Sequence, residues 1–172
     1  MIINASPLII FGKLNKIDIL VKLFKNIEIS NEVYNEVVIK GRELKDALIV
    51  EDYVKKGYVK VFKLDNKNYN LAKKIQFIFS IDFGEAETIA LAIQLKQKEA
   101  IIDEISAREA AKSLNIKPIG TLGILLMAFK ERIINEDEIK GIIEGMVNSK
   151  YRVGANVIIE FWDKLKELKR VR

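Results

Sequence analysis

The chain has 172 residues, 49% of them hydrophobic and 31% charged, which predicts a single domain over residues 1–172 with its own core. It carries a formal net charge of +5 and contains no histidine and no cysteine. These two absences exclude disulfides, zinc fingers, iron–sulfur clusters, thiol nucleophiles, Ser-His-Asp triads and imidazole acid–base catalysis.

The first part of the chain alternates short apolar runs with helical patterns. Met1–Ile3 is a predicted strand, and the apolar residues Leu14, Ile17, Leu20, Val21 and Phe24 then recur at helical spacing and predict a helix. The elements that follow are a strand at Ile27–Ile29, a helix from Ser30 to about Ile39, a helix at Lys45–Lys56 that ends at Gly57, and a strand at Tyr58–Phe62.

The rest of the chain continues this alternation without an internal repeat or a linker. The predicted elements are helices at Asn68–Phe79 and Gly84–Lys96, a strand at Ala100–Ile102, a helix at Glu104–Leu114, a strand at Lys117–Ile119, and closing helices at about Leu122–Lys130, Glu136–Val147 and Val157–Lys169. Short apolar strands alternating with helices indicate a parallel sheet covered on both faces. We therefore predict an α/β fold, a three-layer α/β/α sandwich with a central parallel sheet.

The N-terminus and the hydropathy of the chain bear on its location. No run reaches the roughly 18 apolar residues that a membrane span needs. The start Met1–Pro7 lacks the charged region of a signal peptide. We expect a cytoplasmic protein that does not associate with a membrane.

Charge is unevenly distributed along the chain. Residues 1–80 carry 14 positive and 9 negative charges, residues 81–149 carry 8 and 12, and residues 150–172 carry 7 and 3. A basic protein with an acidic middle is suited to bind a polyanion at its flanks and metal ions at its centre. The alternative is a lysine-rich solvated surface without a binding role.

Polar residues follow several predicted strands, where ligands of open parallel sheets bind. Asn4 and Ser6 follow the first strand, Asp103 and Glu104 follow Ala100–Ile102, Thr121 follows Lys117–Ile119, and two further acids, Glu36 and Glu85, lie in or near helix starts. If these side chains converge, the acids must take up protons or bind cations. Magnesium and manganese are the ions that such oxygen ligands favour.

Each candidate also has a structural interpretation. Asp103 and Thr121 stand where helix N-caps stand, and Asp82 three residues before Glu85 has the spacing of a capping box. Glu36 has the position of a solvated residue on a helix flank. Glu87 and Glu104 point elsewhere than their neighbours, toward supporting or exposed positions.

Five segments in this order and at these separations resemble a PIN domain, in particular the branch of small prokaryotic PIN-like proteins of unassigned function related to VapC-type toxin ribonucleases. They are Ile2–Ile9, Val33–Val37, Gly84–Ala92, Ile101–Arg108 and Ile119–Gly123. The resemblance covers about residues 1–130. Residues 131–172 form a C-terminal helical extension without a motif that matches.

The resemblance implies a metal-dependent ribonuclease that hydrolyses single-stranded RNA with Mg²⁺ or Mn²⁺. The matching positions are metal ligands at Asn4, Glu36, Glu85, Asp103 and Glu104, with Glu36, Glu85 and Asp103 as the catalytic acids. Ser6, Glu87 and Thr121 match supporting positions. The family has an acid where this chain has Asn4, and the amide keeps an oxygen ligand but removes one negative charge, so metal affinity should fall.

The sequence is compatible with three functions. The first is a ribonuclease that acts as the toxin of a toxin–antitoxin pair, with an antitoxin protein and a second copy of the chain as partners. The second is a PIN-like module with little or no catalysis that binds RNA or a protein. The third is a small-molecule phosphohydrolase using the same acids. Candidate RNA-binding residues are Arg108, Lys112, Lys164, Lys166, Lys169 and Arg170, with Arg172 beyond them.

Overall fold

Five short strands form one parallel sheet in a computed structural model that describes residues 1–170, so Arg172 lies outside the described residues. The strands are β1 (Ile2–Ile3), β2 (Ile27–Ser30), β3 (Val59–Phe62), β4 (Glu99–Ile101) and β5 (Lys117–Ile119). Their order across the sheet is β3-β2-β1-β4-β5, and every pairing is parallel. The predicted α/β/α architecture is confirmed.

Ten α-helices occupy the described part of the chain. They are α1 (Ala5–Lys13), α2 (Ile17–Phe24), α3 (Asn31–Tyr34), α4 (Lys45–Lys55), α5 (Asn66–Phe79), α6 (Phe83–Gln94), α7 (Ile105–Ser113), α8 (Thr121–Lys130), α9 (Glu136–Asn148) and α10 (Ala155–Arg170). Within residues 1–170, none of the helices has the length and apolar character needed to cross a bilayer.

The sheet separates two hydrophobic cores. Successive side chains of a strand point to opposite faces, and so Ile3 and Ile101 belong to one core while Ile2 and Ala100 belong to the other. The first core takes the apolar faces of α1 to α4 and of α8 to α10, and the second takes those of α5 to α7. Both faces of the sheet are covered at its centre, which explains why β1 and the end of β4 are apolar and buried at consecutive positions.

One predicted helix is divided in two. The spacing from Leu14 to Phe24 predicts a helix that includes Leu14, but Leu14 is the C-cap of α1, and a new helix begins at Ile17. Asn15 between them has a φ of 52°, and its N–H donates to the carbonyl of Gly12 at 2.9 Å. Asn tolerates this left-handed conformation, which ends the first helix.

The helix predicted from Ser30 to about Ile39 changes its geometry along its length. Ser30 is the N-cap, and its hydroxyl accepts a hydrogen bond from the N–H of Val33 at 3.2 Å. After α3 the backbone continues as a π-helix over Asn35–Ile39. Single π turns occur frequently at functional sites, and this one carries Glu36.

Strand order reverses at β1. The chain runs from β1 outward to β2 and β3, and then returns to the other side of β1 for β4 and β5. The N–H of Asn4, directly after β1, donates to the carbonyl of Ile101 at 2.9 Å. The carboxyl ends of β1 and β4 therefore lie side by side, at the position where this class of sheet binds its ligands.

Candidate functional site

A cavity of about 480 Å³ opens at the carboxyl ends of β1 and β4. The side chains that line it come from distant parts of the sequence, and they meet at this edge of the sheet. They include all five candidate metal ligands, Asn4, Glu36, Glu85, Asp103 and Glu104.

Asn4 is a buried residue of this cavity, with 4% of its surface exposed. The hydroxyl of the fully buried Thr88 lies 3.2 Å from Asn4 Oδ1 and 2.8 Å from the carbonyl oxygen of Gly84, and it shares its single proton between these two acceptors. Thr88 was missed in the sequence, where the signal is a polar residue within the Ala-rich face of α6. The contact fixes the orientation of the amide that follows β1.

Glu36 reaches the cavity beside Gly84 at the start of α6. A Cβ added to Gly84 would lie 3.3 Å from Glu36 Oε2, so the absence of a side chain there makes room for the carboxylate. Desolvation raises the pKa of Glu36 above its ordinary value, Lys40 opposes this shift, and the charges of Asp82 and Glu32 add to it. A cation that approaches the carboxylate would lower the pKa of Glu36 again.

Glu85 caps its own helix and also lines the cavity. Its Oε2 accepts a hydrogen bond from the N–H of Asp82 at 3.0 Å, and the reciprocal bond is present, so the predicted capping box is confirmed. Burial is the main cause of a raised pKa of Glu85; the hydrogen bond from Asp82 opposes it, and the charges of Asp82, Glu104 and Glu36 increase it. Capping leaves further lone pairs of this carboxylate free for a ligand.

Asp103 accepts three hydrogen bonds at the end of β4. The N–H of Thr121 donates to Oδ1 at 2.8 Å, its hydroxyl donates to Oδ2 at 2.6 Å, and the hydroxyl of Tyr151 also donates to Oδ2. Asp103 and Thr121 were both interpreted as helix N-caps, and both interpretations are wrong, because Glu104 is the N-cap of α7 and Gly120 is the N-cap of α8. A carboxylate has about four lone-pair positions, so one remains at Oδ1.

Tyr151 is the principal residue that sequence reasoning missed. It follows α9, in the extension where no motif matched, and its hydroxyl lies 3.3 Å from the hydroxyl of Thr121. Burial, followed by the negative charge of Asp103, raises the pKa of Tyr151 far above its ordinary value, and a hydrogen bond with Ser6 opposes the shift. Tyr151 therefore stays protonated and donates to Asp103 at neutral pH.

Of the two remaining candidate acids, only Glu104, which is exposed, lines the cavity. Glu87 is buried, and its Oε2 accepts a hydrogen bond from the N–H of Glu32 at 3.0 Å, at the beginning of the segment that carries Glu36. Glu87 thus stabilises the segment behind the site, and Ser6 lies on the cavity wall.

The six candidate RNA-binding residues do not line the cavity. Arg108 donates to the carbonyl of Ile102 at 2.8 Å, where it holds the end of β4. Several lysines pair with neighbouring acids: Lys112 with Glu109 at 2.8 Å, Lys164 with Glu160 at 3.8 Å, Lys166 with Asp163 at 3.3 Å, and Lys169 with Glu136. Arg170 ends α10. The cations of the cavity wall are instead Lys13, Lys150 and Arg152.

The donor set of the cavity suits a hard divalent ion, because it consists of carboxylate, amide and hydroxyl oxygens. Among residues 1–170, no group of three acids stands close enough together to hold one ion. Mg²⁺ in proteins keeps several waters and is commonly bound by one or two carboxylates together with substrate phosphates. The cavity fits an ion bound in that way, and it does not fit a fully protein-enclosed metal centre.

Comparison with known protein families identifies the family of the chain. A family model, DUF3368, described as a PIN domain, matches residues 1–167 and so extends over most of the C-terminal segment as well. No curated protein and no solved structure matches the chain.

Proposed function

Since the chain belongs to the PIN-domain family, we propose that it is a divalent-metal-dependent ribonuclease that hydrolyses phosphodiester bonds of single-stranded RNA. The observation that supports this most is the shared cavity of Asn4, Glu36, Glu85 and Asp103 at the switch point of the sheet. These residues are far apart in the sequence, and only the fold brings them to one place.

Each acid has a distinct part in this proposal. Glu36 and Glu85 are held in partly desolvated positions among other carboxylates, where proton uptake or a cation relieves their repulsion. Asp103 lines the cavity and is oriented by its three donors, which leave one lone pair of Oδ1 for a ligand. When bound, Mg²⁺ or Mn²⁺ would lower the pKa of an attacking water and stabilise negative charge on the phosphate.

Cleavage of a fluorescent single-stranded RNA, with a duplex of the same sequence as comparison, tests the assignment. We expect cleavage with Mn²⁺ or Mg²⁺, none with EDTA, and a loss of at least about 100-fold in Asp103→Asn, the range seen when one electrostatic contact of an active site is removed. Asp137→Asn on α9 is a matched control, since the Asp137 side chain is 93% exposed. Cleavage that persists in EDTA and in Asp103→Asn contradicts the proposal.

A PIN-like module without catalysis is the second candidate, and Asn4 favours it. Its amide replaces an acid, and its Oδ1 already accepts a hydrogen bond from Thr88. On this alternative, wild type binds RNA without turnover, and Asn4→Asp gains Mn²⁺ affinity and cleavage. If wild type and Asn4→Asp cleave equally, the amide is not a defect and the first candidate stands.

The biological setting is proposed on the resemblance to VapC-type toxins alone. In that setting the protein acts in the cytoplasm as the toxin of a toxin–antitoxin pair, is neutralised by a protein partner and forms a homodimer. Induced expression should then arrest growth, and Asp103→Asn should relieve the arrest. Growth that is unaffected by the wild-type protein contradicts the toxin role and leaves the ribonuclease proposal intact.

A further inference from the structure

The turn after α9 enters the cavity, although it lies outside the five segments of the sequence that predicted the site. Four consecutive residues, Ser149 to Arg152, line the cavity. The N–H of Lys150 donates to the carbonyl of Val147 at 2.9 Å, and the N–H of Tyr151 donates to that of Met146 at 3.0 Å. This pair of bonds is a Schellman motif, and it reverses the chain at a defined position.

The reversal requires an unusual backbone at one residue. Lys150 has a φ of 55°, in the left-handed region that glycine and asparagine adopt most easily. Lys25 and Lys96 also have a positive φ elsewhere in the chain, so what distinguishes Lys150 is its place at the cavity.

Tyr151 anchors the turn on the opposite side. Its ring packs against the core, and its hydroxyl donates to Asp103, which also holds Thr121. The turn is therefore fixed to the carboxylate of the proposed site. The two cations that flank Tyr151 in sequence are held at the cavity wall as a result.

The cations of this wall are available to an anion. Lys13, Lys150 and Arg152 are exposed and line the cavity, and within residues 1–170 no ion pair joins any of them to an acid. The acids of the same cavity repel a polyanion, so an RNA strand that enters it needs compensating positive charge close by.

We propose that Lys150 and Arg152, together with Lys13, bind phosphate groups of a single-stranded RNA that lies in the cavity. This rests on the proposed function and adds the residues that hold its substrate. The C-terminal turn thus supplies RNA contacts at the cavity itself, which none of the six residues predicted from the sequence lines. Arg152 can bind a phosphate through two parallel N–H donors, and Lys150 and Lys13 act as point charges.

Binding without turnover tests this proposal. Fluorescence anisotropy of a labelled single-stranded RNA is measured in EDTA at several salt concentrations, for wild type, Lys150→Asn and Arg152→Gln. Asparagine tolerates the left-handed backbone and removes the charge. Lys96→Asn is a matched control, because Lys96 has a φ of 56° in the same kind of turn after α6, at the opposite edge of the sheet.

Each cavity variant should make the negative slope of log K against log salt shallower by about 0.7, which is the effect of one lost phosphate contact. The affinity should fall about 5-fold near 0.1 M salt. Lys96→Asn should match wild type, and thermal unfolding verifies that each variant is folded. Arg152→Gln keeps the test valid if Lys150→Asn fails to fold, since Arg152 is outside the left-handed position.

Slopes equal to wild type in the cavity variants would overturn the proposal, and so would a wild type that does not bind RNA. Metal-dependent cleavage with unchanged slopes means that the ribonuclease assignment holds and the phosphate contacts are elsewhere. Reduced slopes without any cleavage mean the reverse: the cations bind RNA, and the protein is a binding module.

Discussion

Replacing Tyr151 with phenylalanine removes one hydroxyl from the cavity and leaves the ring in place. The hydroxyl donates to Asp103 Oδ2, while Thr121 supplies the other two donors to that carboxylate. Because the pKa of Tyr151 is raised by burial and by Asp103, the lost group is a protonated donor throughout the neutral range.

The size of the effect follows from the charge of the acceptor. A hydrogen bond to a charged group contributes about 1.5–3 kcal/mol, roughly twice the value for neutral partners. For a chain of this length, each kcal/mol lowers the Tm by about 2–4 °C, so Tyr151→Phe should unfold roughly 3–12 °C below wild type. In the background of Asp103→Asn the same change should cost less than about 1.5 kcal/mol, since the bond is then neutral.

Urea and thermal unfolding measure both values. Tyr58→Phe is the control, because Tyr58 is 45% exposed, and removal of its hydroxyl should change stability by less than about 0.5 kcal/mol. A Tyr151→Phe variant as stable as Tyr58→Phe, or a cost that does not depend on the charge at Asp103, would refute the coupling between the turn and the carboxylate.

Two further predictions concern the acids. The pKa of Glu85 is raised by burial and neighbouring carboxylates, so folding favours its protonated form, and stability should fall as pH rises from the ordinary 4.5 through the higher folded value. The free energy of unfolding in urea should fall less between pH 5 and pH 7 in Glu85→Gln than in wild type. Glu144→Gln, on the exposed side of α9, should lose as much stability as wild type. A larger loss of stability in Glu85→Gln than in wild type rules out this account. Gly84→Ala places a Cβ 3.3 Å from Glu36 Oε2 and should weaken Mn²⁺ binding in a calorimetric titration without lowering the Tm. Gly141→Ala, whose Cβ meets nothing within 4 Å, should leave Mn²⁺ binding unchanged, and equal Mn²⁺ affinities in the two variants would contradict a role for Glu36 at that position.

The sheet and the positions of the acids are predictable because both depend on local patterns. Strands that are apolar at consecutive positions indicate burial on both faces, and a polar residue directly after such a strand lies at the carboxyl edge. Asn4 and Asp103 could be placed at the site from this rule alone. The divided helix was not predicted, since the apolar spacing continues across Asn15 and only its left-handed backbone separates α1 from α2.

The contacts of the site could not be predicted in the same way. Tyr151 is 48 residues from Asp103, and its place in the cavity depends on the packing of α9 and on a turn whose left-handed residue is a lysine. Nothing in the local sequence marks Tyr151 as polar-facing, because a tyrosine before an apolar helix suits a core position equally well. The π-helical turn at Glu36 likewise depends on tertiary packing and not on a local sequence pattern.

The contact between Tyr151 and Asp103 has a consequence for the order of synthesis. Ribosomes add about 5–20 residues per second, so the 48 residues that separate these two partners take roughly 2–10 s to produce. During that interval the nascent chain has its acids but lacks the turn that orients Asp103 and carries Lys150 and Arg152. On the proposed assignments, the growing chain therefore lacks two of its three phosphate-binding cations and one of the three donors to Asp103 until the turn has been made.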